Sequence, residues 1–143
     1  MNVAAMLTAK GRDIITAKPT DTMRDVCLVM ETHGIGAVVV VDDAGQLTGI
    51  VSERDFVRAM ARQGAAILDK PVSAYMTSDV VTCALDDKVA EIMGRMTDGK
   101  FRHMPVIDGG QMVGLISIGD VVKQRIAEAE AESRAMREYI ATG

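Results

Sequence analysis

The amino-acid sequence predicts a mixed α/β (α+β) fold: two pseudo-symmetric β-α-β-β-α halves packed through their sheets, followed by a C-terminal helix. Three observations lead there. The chain repeats itself once. Each copy alternates strand-sized apolar runs with helical i, i+3, i+4, i+7 patterns. Each copy also contains the same strand-to-helix junction, GQLTGIVSERDFVRAM over 45–60 and GQMVGLISIGDVVKQR over 110–125.

At a constant offset, Asp13, Thr16, Asp21, Met30, Val40 and Asp42 fall on Asp79, Thr82, Asp87, Met96, Val106 and Asp108. One residue is dropped in a turn. The match then resumes, with Gln46, Gly49, Ser52, Asp55 and Val57 on Gln111, Gly114, Ser117, Asp120 and Val122. Upstream, Val3, Ala5 and Thr8 correspond to Val72, Ala74 and Thr77. Two copies make a pseudo-two-fold pair, not a solenoid. The expected division is 1–64, 65–127 and a helical extension over 128–143.

Each copy opens with a short helical turn, Val3 to Leu7 or Val72 to Met76, with Pro71 suited to the first turn of the second. A brief strand follows, Asp13 to Ala17 or Asp79 to Cys83. Next comes a helix whose buried face carries Met23, Val26, Cys27 and Met30, or Val89, Ile92, Met93 and Met96. Thr20 and Asp21, and Asp86 and Asp87, are the candidate N-caps. The run Ala37 to Val41 reads as a strand buried on both faces, echoed by Met104 to Ile107. Hairpin turns at 42–45 and 108–110 lead to strands Leu47 to Val51 and Met112 to Ser117. The second helix of each copy starts near Arg54 or Gly119. Gln63 to Lys70 connects the copies. The last helix is expected to reach about Ile140, either solvated on its own domain or packed on a second copy of the chain. A single half is too small to bury enough apolar surface alone.

Composition excludes several classes of function. The 143 residues are 48% hydrophobic and 25% charged, an ordinary globular balance. Aromatics are only 3% while Met numbers 11, so the core is aliphatic and Met-rich. A net charge of −4 without a basic run argues against nucleic acid as a partner. No apolar stretch approaches a membrane span, and no signal peptide is expected. Cys27 and Cys83 lie far apart with no metal-ligand spacing, which fits a reducing, cytoplasmic setting. The phosphate-loop, dinucleotide, nucleophile-elbow and zinc-protease patterns are missing. Catalytic residues and metal ligands are therefore not expected.

The remaining candidates lie at the junctions. Ser52 with Asp55, and Ser117 with Asp120, form the S-x-x-D pattern of a capping box. Such a cap stabilises a helix by about 1 kcal/mol. A carboxylate there can also accept hydrogen bonds from the two vicinal hydroxyls of a ribose. Gly36 and Ala37 are small enough for a flat ring to approach closely. Lys100, Arg102 and His103 crowd the equivalent place in copy two, as a solvated basic turn or as an anion pocket. Thr16 and Thr82 match at the ends of the first strands, where each can cap a turn or reach a ligand.

The pieces DIITAKPTDTMRDV, IGAVVVVDDAGQLTGIVSERDFVRAM, PVSAYMTSDVVTC and FRHMPVIDGGQMVGLISIGDVV, in repeated order, resemble a pair of cystathionine β-synthase (CBS) domains, the Bateman module. The pattern is most similar to stand-alone bacterial CBS pairs. The resemblance implies a regulatory module, not an enzyme, binding adenine nucleotides (AMP, ADP, ATP or NAD(H)) or S-adenosylmethionine in clefts between the repeats. It implies ribose contacts from Asp55 and Asp120, with Ser52, Arg54 and Ser117 nearby, and ligand contacts from Thr16 and Thr82. It places phosphate on Arg102 and His103 and the base against Gly36 and Ala37. Copy one departs by lacking the basic pair. The resemblance also implies a homodimer, and without a fused effector domain any output passes to another protein. A structural or dimerisation module without a small ligand is the alternative.

Overall fold

A computed structural model describes residues 1–142. The elements are α1 (Val3–Lys10), β1 (Thr16–Ala17), α2 (Met23–His33), β2 (Ala37–Val41), β3 (Leu47–Ser52), α3 (Glu53–Gln63), α4 (Val89–Gly99), β4 (His103–Asp108), β5 (Gln111–Ser117) and α5 (Ile118–Thr142). Two 3-10 segments, Gly64–Asp69 and Val72–Ala74, fill the connection after α3. The chain forms two compact units. One comprises Asp13–Val81 with Gly110–Met112; the other comprises Met1–Arg12, Thr82–Gly109 and Val113–Gly143.

In the first of these, β1 pairs parallel with β2, and β2 antiparallel with β3. Val38, Val39 and Val40 are fully buried, so β2 is covered on both faces, as its Val run requires. Asp42 fixes the β2–β3 turn by accepting from the N–H groups of Ala44 and Gln46. Met23, Val26 and Met30 of α2 join Val38, Val40, Val51, Ile67 and Val72 in one core. Cys27 was expected on that face but is exposed, and Val29 packs there instead. The segment after Pro71 docks on β3: Ile50 and Thr77 exchange both backbone hydrogen bonds.

The second unit has a two-stranded sheet, β4–β5. Cys83 bridges parallel to Val106 and takes the place of a first strand. Its N–H donates to Pro105 and its carbonyl accepts from Ile107. The expected first strands thus shrink to Thr16–Ala17 and to one bridged residue, because only those residues reach the neighbouring strand. Ile92, Met96, Met104, Val106, Ile116 and Val121 build the core. The helix α1 packs here, with Val3, Met6 and Leu7 buried. Its first residues bond to the turn before α4: Val3 N–H to Asp87 O and Ala4 N–H to Leu85 O. The leading turn of each repeat therefore packs with the strands of the other.

The helix starts also differ from expectation. Thr22, not Thr20 or Asp21, caps α2, its hydroxyl accepting from Asp25 N–H. Lys88 occupies the equivalent place before α4. Asp21 and Asp87 instead turn back on the N–H groups of Lys18 and Ala84, tightening the approach to each helix.

Candidate functional site

The two junctions are built alike. In the first, β3 ends at Ser52 and α3 begins at Glu53, one residue earlier than the pattern suggested. Ala37 pairs with Ser52, and Glu53 N–H donates to Gly36 O at 3.0 Å. The small pair Gly36–Ala37 is thus fixed beside the junction. Asp55 Oδ2 accepts from Ser52 N–H at 2.8 Å and from Ser52 Oγ at 3.2 Å, completing a capping box. In the second, β5 ends at Ser117, α5 begins at Ile118, and Ile118 N–H donates to Arg102 O at 2.7 Å. Asp120 Oδ2 accepts from Ser117 N–H and Oγ, both at 2.9 Å, while Asp120 N–H donates to Ser117 Oγ at 3.2 Å. Each carboxylate sits at the positive end of a helix dipole.

One group at the second junction was not foreseen. Lys10, at the end of α1, pairs with Asp120 Oδ2 and donates to Leu115 O at 2.6 Å. Burial pushes the Asp120 carboxyl up, but hydrogen bonds from Lys10 and Ser117 and the Lys10 charge prevail and hold it below the ordinary carboxylate range. No local pattern announces this contact, since Lys10 lies far from Asp120 in sequence. In the second repeat, the stretch that follows Thr77, the counterpart of Thr8, carries no lysine before Lys88, so nothing there matches Lys10.

Thr16 is exposed on β1 opposite Val39. Thr82 holds the same place beside Cys83, and its carbonyl accepts from Arg95 at 2.7 Å. Both threonines lie on the strand position flanking β2 or β4. Arg54 is exposed in the first turn of α3, and Arg102 and half-buried His103 lead into β4. The structure thus brings Gly36, Ala37, Ser52 and Asp55 together, and Arg102, Ser117 and Asp120 together.

Among the described residues there is no group of three or more His, Cys, Asp or Glu able to hold a metal. Cys83 lies in the core, where burial first, and Asp87 second, push its thiol up to about 11, away from the thiolate form. No described helix is long and apolar enough to cross a membrane.

A family model described as the CBS domain matches residues 9–62 and 72–126. A crystal structure of a CBS-domain-containing protein of Agrobacterium tumefaciens, ATU1752, is 46% identical with a TM-score of 0.86, over 87% of this chain and 99% of that one. The structure of a CBS domain protein of Pyrobaculum aerophilum, PAE2072, complexed with AMP, is 27% identical with a TM-score of 0.74, over 84% of this chain and 89% of that one. The mitochondrial CBS domain-containing protein CBSX3 of Arabidopsis thaliana is 38% identical over 127 residues; the match covers 86% of this chain and 62% of the plant protein. The family match, the doubled junction and the two small sheets agree: the chain belongs to the CBS domain family, as a pair of CBS repeats.

Proposed function

We propose that the chain is a regulatory, non-catalytic module that senses an adenine nucleotide (AMP, ADP, ATP or NAD(H)) and passes its state to a separate effector protein. The doubled junction carries this reading: two half-buried carboxylates, each fixed at a helix start beside a strand entry. At each junction the serine N–H and hydroxyl both bond Oδ2 of the aspartate, and Lys10 joins them on Oδ2 of Asp120. A carboxylate offers about four acceptor sites, so capping a helix and accepting ribose hydroxyls are compatible. Asp55 and Asp120 take the ribose, with Ser52, Ser117 and Arg54 alongside; Gly36 and Ala37 line the base, and Thr16 and Thr82 add contacts. Arg102 and His103 take phosphate, and Lys10 adds a further cation near Asp120, which makes the second junction the better phosphate site. The AMP bound by the Pyrobaculum relative supports an adenosine ligand.

Further parts of the proposal are a homodimer, a cytoplasmic setting consistent with two free cysteines, and sequence repeats bounded at 1–64 and 65–127 with an extension over 128–143. Calorimetric titration with AMP, ADP, ATP, NAD+ and NADH tests the ligand class. Saturable heat with at least one is expected, together with a rise in melting temperature; a ligand at 100 times its dissociation constant adds about 2.7 kcal/mol. Silence with all five would leave the alternative, a dimerisation module without a small ligand.

A further inference from the structure

The helix α5 uses two different faces. Val121 is buried, and Gln124 and Glu128 are half-buried against the helix's own unit, with Glu128 paired to the Met1 ammonium. A second, apolar face is left in solvent. Val122, Ile126, Ala129, Ser133, Met136 and Ile140 recur at alternating steps of four and three, the a/d seam of a heptad. Ile126 is 54% exposed, Met136 61% and Ile140 70%. Every residue from 129 to 142 is exposed. A helical stretch of that length is marginal in water by itself. Unshielded Ile and Met on a single stripe therefore call for a partner.

We infer that this stripe pairs with the same stripe of a second copy, as a parallel, in-register two-stranded coiled coil. Charge identifies both occupant and direction. With Ile126, Ser133 and Ile140 at a, the g positions hold Arg125 and Glu132 and the e positions hold Glu130 and Arg137. A parallel pair sets each g against the partner's following e. Arg125 then faces the partner's Glu130, and Glu132 faces the partner's Arg137, both attractive. An antiparallel pair overlapping the same six positions instead sets Lys123 against the partner's Arg137, Glu130 against the partner's Glu130 and Glu132 against the partner's Glu132. All three are like-charged. Arg125 already bonds Glu128 at 3.0 Å within the helix; its planar fork has donors for both. Ser133 at a is a small polar layer of the kind that fixes register at some loss of stability. The seam begins two residues after Asp120, so parallel pairing sets like repeats of the two copies side by side. The inference rests on the proposed homodimer and adds its face and its polarity.

Disulfide trapping in the full chain tests it. Ala129→Cys and Ser133→Cys are made separately in a Cys27→Ser background, where the other native thiol, Cys83, is buried. Glu138→Cys, on the far face of the helix, is the control. The parallel seam predicts that each of the first two variants forms a reducible dimer with itself under mild oxidation and that the control does not. Cross-linking only when the two variants are mixed would mean antiparallel pairing and overturn the inference. A dimer by light scattering with no cross-link in either variant would overturn it and leave the homodimer standing; a monomer would overturn both. Charge exchange gives a second reading that does not depend on thiols. Glu130→Arg with Arg137→Glu, and separately Arg125→Glu with Glu132→Arg, should each weaken self-association by about tenfold or more. Mixing the two double variants should restore it, because every g–e pair then becomes attractive again. Wild-type association by either double variant alone would contradict the seam.

Discussion

The two Ser-x-x-Asp junctions share a backbone and differ in their electrostatics. In each, a strand ends on a serine, an aspartate three residues on accepts from that serine, and the next N–H bonds a carbonyl ahead of the partner strand. At the second junction Lys10 pairs with the aspartate, and Arg102 and His103 stand where the first has Gly36 and Ala37. A duplicated frame has thus kept its capping geometry while its surroundings diverged. The shared part is what a helix start needs. The divergent part is what a ligand with two unlike ends would use.

The largest expected effects probe the docking of each leading segment. Leu7 is fully buried against β5, whereas its counterpart Met76 is only half-buried. Leu7→Ala should destabilise by about 3 kcal/mol and Met76→Ala by clearly less, measured by urea unfolding. The facing glycines reverse that order. A Cβ at Gly49 would lie 2.6 Å from Met76 Sδ and 2.9 Å from the Thr77 carbonyl oxygen, whereas at Gly114 its nearest neighbours would be the two Leu7 Cδ atoms, both at 2.8 Å. Leucine tips can shift more readily than backbone. Gly49→Ala should therefore destabilise by about 2 kcal/mol, and more than Gly114→Ala.

A smaller effect separates the aspartates by pH. The Asp120 carboxyl is held below its unfolded value, so its contribution is present above the unfolded pKa, near 4, and is lost as pH falls through the lower folded pKa. Asp120→Asn should destabilise at pH 7 by about 1 kcal/mol, and the gap from wild type should close as the pH is lowered below 4. In a Lys10→Met background most of that pH dependence should be gone; an Asp120→Asn gap that still closes as steeply below pH 4 would dissociate Lys10 from Asp120. Smaller still is the effect at the helix C-caps. Gly34 and Lys100 are repeat counterparts, with φ of 61° and 58°. Lysine in that left-handed conformation is strained, so Lys100→Gly should stabilise by about 0.5–1 kcal/mol.

Much of this was legible in local pattern. The strand Ala37–Val41 and the long last helix followed from an unbroken Val run and from a stretch without Pro or Gly. The repeat located both junctions, because strand period, serine and aspartate all sit within a few residues of each other. Contacts across the chain were not legible. Nothing in Val3–Lys10 says that it packs with the second repeat's strands, or that Lys10 meets Asp120. Helical periodicity placed Cys27 beside Val26, but the face of α2 is rotated enough to expose it and bury part of Val29. The N-caps were misplaced because Asp and Thr crowd both approaches, and only backbone geometry decides which of them caps.

The most direct test of the ligand reading is the AMP dissociation constant of wild type, Asp55→Ala and Asp120→Ala, each corrected for its folded fraction. Each substitution should lower stability by about 1 kcal/mol through the lost cap. If the carboxylates also hold ribose, at least one variant should bind AMP tenfold or more weakly, since hydrogen bonds to a charged group contribute about 1.5–3 kcal/mol. Wild-type affinity in both variants, alongside the expected loss of stability, would mean that the aspartates only cap helices.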